Sequence, residues 1–124
     1  NHTDKADLTN RPYMNEGIVV KSHAGQKYTS DAVSIAVFKD LCKKANVPVQ
    51  FFANRSDEAG GSTLGNIAMA QVSMNSVDIG LPQLAMHSTY ETAGIKDTYY
   101  MIQVMTEFFN CHISEINTNV LKVD

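Results

Sequence analysis

The sequence predicts an α/β fold, with a mostly parallel sheet flanked by helices. Three observations carry this. Short β-branched runs recur at residues 17–21, 49–53 and 77–81. Apolar, helix-period segments lie between and after them. Glycine, asparagine or proline marks the junctions. Strands alternating with helices are the sequence pattern of βαβ units.

Taken in order, residues 1–16 are polar, carry Asn10-Arg11-Pro12, and are read as an extended arm or loop. Residues 17–21 (Gly-Ile-Val-Val-Lys) form the first strand and 24–27 a turn. Ser30 or Asp31 caps a helix that runs to about Ala45. Val33, Ala36, Val37 and Leu41 give that helix an apolar stripe, widened by Ile35, Phe38 and Cys42, and Asn46 followed by Pro48 stops it. Residues 49–53 are the second strand. A polar, glycine-rich stretch follows at 54–61, then a helix from Ser62 to about Val72 and a third strand at 77–81. Ser88 and Glu91 have capping-box spacing, which predicts a short helix ending at Gly94. Asp97 is expected to cap the last helix, where Met101, Val104, Met105 and Phe108 fall at i, i+3, i+4, i+7. From Ser114 on, the signals are weak and read as a terminal strand or a disordered tail.

The chain has 124 residues, a net charge of −3 and 44% hydrophobic residues, enough for one small domain or part of a larger one. Lys43-Lys44 is its one adjacent basic pair, so no nucleic-acid surface is indicated. No apolar run reaches the roughly 18 residues of a membrane span. The N-terminus lacks signal-peptide character, and Asn1 stands where an initiator methionine would, which predicts a start inside a longer polypeptide. Cys42 and Cys111 are read as reduced thiols in a cytoplasmic protein, Cys42 in the core. A three-stranded parallel sheet needs cover on both faces and neighbours at its edges. Residues 17–110 supply too little of either, so the chain is expected to be one side of a larger sheet.

Several residues could carry chemistry. His87 follows the third strand and precedes the predicted short helix, a position where open α/β sheets bind ligands. A lone histidine there is commonly a packed residue, and a catalytic metal takes about three protein ligands. The stretch Gly60-Gly61-Ser62-Thr63-Leu64-Gly65 lacks the Gly-Lys-Ser/Thr of a phosphate-binding loop. It reads either as a tight turn or as a backbone that approaches a ligand. Lys21 ends the first strand, as a solvated strand end or as a fixed positive charge for a carboxylate. Tyr28 could add a phenolic hydroxyl. Asp57-Glu58 read as a polar loop face rather than as metal ligands or a base. Asp78 would need a partner if buried. Cys111-His112 makes a poor zinc site, because adjacent helical residues face different ways. His2, His23 and His112 share no metal-ligand spacing and are read as surface residues.

Three groups of motifs occur together in order: Gly17-Ile18-Val19-Val20-Lys21 with Gln26-Lys27-Tyr28, Asn54-Arg55-Ser56-Asp57 with Gly60-Gly61-Ser62-Thr63-Leu64-Gly65, and Val77-Asp78-Ile79-Gly80 with Pro82-Gln83-Leu84-Ala85-Met86-His87-Ser88. In this combination the chain resembles the C-terminal part of an M18-family metalloaminopeptidase, the aspartyl aminopeptidase and aminopeptidase I group, to about Phe109. It differs from many members in Ile18, where they have proline, and in Glu58-Ala59. The resemblance implies a three-layer α/β/α catalytic domain, incomplete here, with 1–16 as arm and 17–124 as its C-terminal portion. It implies two divalent metals, most often zinc, in the full-length protein. It also implies release of N-terminal residues, acidic ones in many members, from peptide substrates, and assembly as a homo-oligomer, typically a dodecamer. By the same match His87 is a metal ligand, Lys21 meets an acidic side chain, and Tyr28 with Gly60, Gly61, Ser62 and Thr63 walls the pocket. The family's other ligands and its general-base glutamate precede the matching region, so no catalytic residue is expected here. The implied partner is the remainder of the same polypeptide, and this chain alone is expected to be inactive. The competing reading is a stand-alone non-catalytic α/β module that binds a ligand or partner through the 60–63 loop.

Overall fold

The β-branched run at 18–20 becomes the centre of the sheet. In the computed structural model, which describes residues 9–55, 57–118 and 120–124, β1 (Ile18–Ser22) lies between β2 (Val49–Ala53) and β3 (Ile79–Gly80). Ile18, Val19 and Val20 are all buried, as a strand covered on both faces requires. His2 and Ser56 lie outside the described residues. Residues 9–17 form bends and turns, and Tyr13 exchanges hydrogen bonds with the Gln50 side chain on β2.

β1 and β2 pair in parallel over five residues, from Ile18 opposite Val49 to Ser22 opposite Ala53. The crossover between them is α1 (Ala32–Lys44). Of the two available caps, Asp31 serves. Its Oδ1 accepts from the Ser34 amide at 2.7 Å, and the Ser34 hydroxyl accepts from the Asp31 amide at 3.0 Å. The buried line of α1 is Ser34, Phe38, Leu41 and Cys42, so the stripe is rotated from the one expected: Ala36 is exposed. Asn46, with φ 55°, reverses the chain after the helix.

β3 departs from the parallel expectation. It runs antiparallel to β1, with Ile79 opposite Val20 and Gly80 opposite Val19. A parallel return needs a crossover element packed on the sheet. Among the described residues the helix between β2 and β3 is α2 (Leu64–Gln71), and it buries none of its residues.

The short helix expected at 88–94 is absent. β4 (Gln83–Leu84) and β5 (Thr92–Ala93) form an antiparallel hairpin around residues 85–91. The Glu91 carboxylate accepts from the His87 amide instead of reaching back to Ser88, and the Ser88 hydroxyl accepts from the Tyr90 amide at 3.1 Å. These local bonds close a turn rather than open a helix.

Asp97 likewise does not cap α3 (Ile95–Asn110), whose cap is Gly94. Asp97 is fully buried at the third helical position, where it accepts from the Asn15 and Gly17 amides at 2.6 and 2.9 Å. Asn15 returns the bond, its Oδ1 accepting from the Lys96 amide at 3.0 Å. On the same face Val104 is buried and Met101 and Met105 pack on the core, whereas Phe108 is exposed. The tail forms a second antiparallel hairpin, β6 (Ile113–Asn117) and β7 (Val120–Val123), tied to α1 by the Lys44 ammonium on the Val123 carbonyl.

The core comprises Ile18, Val20, Phe38, Leu41, Cys42, Val47 and Val104. α2 is mostly apolar, with Leu64, Ile67, Ala68, Met69 and Ala70, yet Leu64 is 80% and Ile67 65% exposed. A helix of that composition is normally buried. The accessible surface is 8488 Å², against roughly 6,600 Å² for a compact monomer of this length.

Candidate functional site

Lys21, at the carboxyl end of β1, organises one cluster. Its amide donates to the Asp78 carbonyl at 2.9 Å. Its side chain crosses β3 where Gly80 leaves room; a Cβ there would stand 3.0 Å from Cε. The ammonium lies 5.8 Å from the centre of the Tyr28 ring, within cation–π range. Burial, and then the negative charge of Asp78, raise the Tyr28 phenol above its ordinary pKa, so it stays a neutral donor.

The turn after β1 anchors the glycine loop. Lys27 Nζ donates to the Gly60 carbonyl at 2.7 Å, and Asn66 Nδ2 donates to the Lys27 carbonyl at 2.9 Å. Gly60 is required by close approach, since a Cβ would stand 1.7 Å from Asn54 Nδ2. Gly61 faces open space and Ser62 is exposed. Thr63 is the N-cap of α2, but its hydroxyl caps nothing; it donates to the Asp78 carboxylate.

Asp78 is therefore the residue whose role the sequence left open. It is buried on the approach to β3. Its amide donates to Ser30 Oγ at 2.8 Å, its carbonyl takes the Lys21 amide, and its carboxylate takes Thr63. The available signal was an acidic residue inside an apolar run, but its partners stand 15, 48 and 57 positions away.

His23 is not the plain surface residue expected. It is half-buried, its Nδ1 accepts from the Gly25 amide at 2.8 Å, and its Nε2 is buried without a hydrogen-bond partner among the described residues. The ring meets Tyr28 edge-on, with centroids 5.9 Å apart. The short Ser22–Tyr28 turn brings it there.

His87 stands apart from this network. It is exposed on the β4–β5 turn in the left-handed region, with φ 66°. Glu91 holds its backbone and leaves the imidazole free to face outward. Among the described residues no group of three or more His, Cys, Asp or Glu could hold a metal. One exposed imidazole fits one coordination position of a metal centre. Asp57 is exposed and bound by Arg55, Nε to Oδ1 at 2.9 Å, and that bond lowers its pKa. Cys111 ends α3 with Sγ donating to the Phe108 carbonyl, and His112 is exposed. A cavity of about 530 Å³, lined by Val37, Phe38, Val77, Met105, Phe108 and Leu121 among others, includes none of the predicted site residues. It is a gap between α1, α3, the β6–β7 hairpin and the segment before β3, and Ser34, Asn75, Ser76 and Glu115 also line it.

The model of the aminopeptidase I zinc metalloprotease (M18) family matches residues 1–109. A probable M18 family aminopeptidase 2 of Clostridium novyi (strain NT) is 54% identical over 110 residues, which is 89% of this chain and 25% of that protein. The corresponding protein of Ectopseudomonas mendocina (strain ymp) is 42% identical over 110 residues, 89% of this chain and 26% of that protein. The chain thus spans about a quarter of the length of these relatives. Among solved structures, a chain of the Ape4 and Nbr1 complex superposes with a TM-score of 0.85 at 37% identity, over 88% of this chain and 21% of that one. The Thermotoga maritima M18 aminopeptidase, at 23% identity and a TM-score of 0.72 over 86% of this chain and 25% of that one, shares the fold.

Proposed function

The chain belongs to the M18 family of aminopeptidases, and from that premise we propose that it is the C-terminal portion of a metal-dependent aminopeptidase that releases N-terminal residues from peptides. Residues 17–124 belong to the catalytic domain and 1–16 to the arm before it. The observation that carries the reading is coverage. Nearly the whole chain matches a quarter of each relative, and an apolar helix, α2, is left bare. The rest of the same polypeptide covers α2 and extends the sheet beyond β2.

In this reading His87 supplies one ligand to a centre of two zinc ions, and the remaining ligands and the general base come from outside these residues. The metals, when bound, polarise the scissile carbonyl and activate water. The work of this chain's own residues is recognition. Lys21 presents a fixed ammonium to the side chain of the first residue, which favours Asp or Glu. Tyr28, held neutral, offers a hydroxyl beside it. The 60–63 loop shapes the wall, with Gly61 leaving space for substrate. The whole protein forms a homo-oligomer, a dodecamer as in a solved mApe1 structure, in the cytoplasm. No helix among the described residues is long and apolar enough to cross a membrane.

The test is a pair of assays with Asp- and Leu-terminated chromogenic peptides plus zinc, manganese or cobalt. The polypeptide read from the full upstream coding sequence is expected to hydrolyse them, and the 124-residue chain is not. Hydrolysis by the short chain, or none by the long one, overturns the proposal. A start codon near Asn1, with no ligand-bearing sequence in frame before it, would favour the stand-alone module instead.

A further inference from the structure

We propose that Asp78 is a positioning residue that ties the 60–63 loop to the sheet through Thr63, and so sets the shape of the pocket for the substrate's first side chain. This rests on the aminopeptidase reading above. The first observation is where the Thr63 hydroxyl goes. A threonine at an N-cap ordinarily accepts from an amide in the first helical turn, and that bond stabilises the helix. Thr63 has the extended backbone of an N-cap, φ −115° and ψ 176°, yet makes no such bond. Its hydroxyl donates to Asp78 instead. Local helix stability is given up for a link across 15 positions.

The second observation is that Asp78 is itself held from three sides. Ser30 accepts from its amide, Lys21 donates to its carbonyl, and Thr63 donates to its carboxylate. It is buried, so the carboxylate is not a surface charge that happens to lie nearby. The third is convergence. Of the pocket residues, Lys21 and Thr63 bond directly to Asp78, and Tyr28 feels its charge. One residue thus links the strand that carries the recognising cation, the phenol beside it and the loop opposite. The loop has few other anchors: Lys27 holds the Gly60 carbonyl, while Gly61 and Ser62 carry no bond that would fix them among the described residues. Without the tether, the segment from Gly61 to Thr63 would be held only at its ends, by Lys27 on Gly60 and by α2, whose Asn66 bonds the Lys27 carbonyl.

The experiment uses the whole aminopeptidase with Thr63→Val, Thr63→Ser, Asp78→Ala and Asp78→Asn. Valine keeps the shape of threonine and removes the donor; serine restores the donor. Thr63→Val and Asp78→Ala are expected to raise KM by about tenfold or more while kcat changes far less, the scale usual for groups that orient others. Thr63→Ser is expected to return KM to near the wild-type value. Asp78→Asn keeps an acceptor and should fall between. Amide hydrogen exchange at residues 61–66 is read in the same proteins, and should quicken in Thr63→Val and Asp78→Ala but not in Thr63→Ser. A wild-type enzyme without peptidase activity overturns the aminopeptidase reading, and exchange then still decides the tether. Exchange unchanged in Thr63→Val, or an active enzyme whose KM is the same in Thr63→Val as in wild type, overturns the positioning role. Should Asp78→Ala fail to fold, the valine and serine variants decide alone.

Discussion

Replacing Asp97 by alanine removes an acceptor shared by two amides that lie far from it in sequence. The carboxylate is fully buried, 2.6 Å from the Asn15 nitrogen and 2.9 Å from the Gly17 nitrogen. Bonds to a charged acceptor contribute about 1.5–3 kcal/mol each. Gly17 is buried and its amide has no other partner among the described residues, so its share is lost in full; Asn15 is exposed and water recovers part of the rest. The negative charge also sits in the first turn of α3, worth about 0.3–1 kcal/mol with the helix dipole. Together these give roughly 3–5 kcal/mol for local opening of the segment that feeds β1. Asp97→Asn keeps one acceptor oxygen and should cost about half as much. Amide hydrogen exchange at Gly17 reads this directly in the whole polypeptide. Each 1.4 kcal/mol is tenfold, so Asp97→Ala should speed exchange there by roughly two to three orders of magnitude. Exchange at Gly17 within a few-fold of wild type, with the fold retained, would refute the reasoning.

Other expectations follow the same lines. Lys21→Met in the whole enzyme should depress kcat/KM for Asp and Glu substrates far more than for Leu or Ala, by about 2–5 kcal/mol of lost pairing; equal small losses on both would return Lys21 to a solvated strand end. Asp31→Ala should destabilise α1 by about 1 kcal/mol at neutral pH. Because the Ser34 amide bond lowers the Asp31 pKa, that contribution is present above its ordinary value of 3.8 and lost as pH falls through the lowered value. The gap between variant and wild type in denaturation should therefore close in acid, and a gap that persists there contradicts the cap. Burial pushes the Cys42 thiol up to about 12. At pH 8 a thiol reagent should thus label it only after unfolding, and stability should fall as pH rises past the ordinary thiol value of 9.0; labelling of Cys42 in the native state would be the contrary result.

What the sequence made legible is what local forces decide. β1, β2 and α1 with its Asp31 cap follow from β-branched runs, a helix-period stripe and a capping residue, all within a few positions of one another. The Ser88…Glu91 spacing misled because Glu91 had a nearer amide, that of His87, and a turn satisfied both groups without a helix. Asp97 carried the same ambiguity: an acidic residue near a helix start can cap locally or bind a distant loop, and only the position of Asn15 and Gly17 decides. The direction of β3 was hidden because it depends on whether α2 packs on the sheet. Of the candidate site, Lys21, Tyr28 and Thr63 were singled out, and the structure draws them around Asp78; the link itself runs through partners 15 to 57 residues apart. His87 stays apart, and no metal-holding group of three or more His, Cys, Asp or Glu occurs among the described residues.

The most direct test of the proposal that this chain contributes one ligand to a larger metal centre is the metal content and turnover of the whole enzyme carrying His87→Ala. Loss of a ligand removes both the Lewis acid and the activated water at that position, whereas changes to supporting groups usually cost only about 10–100-fold. The expected result is a loss of bound metal relative to wild type and a fall in turnover well beyond that range. Wild-type metal content with near-normal turnover in His87→Ala would contradict it.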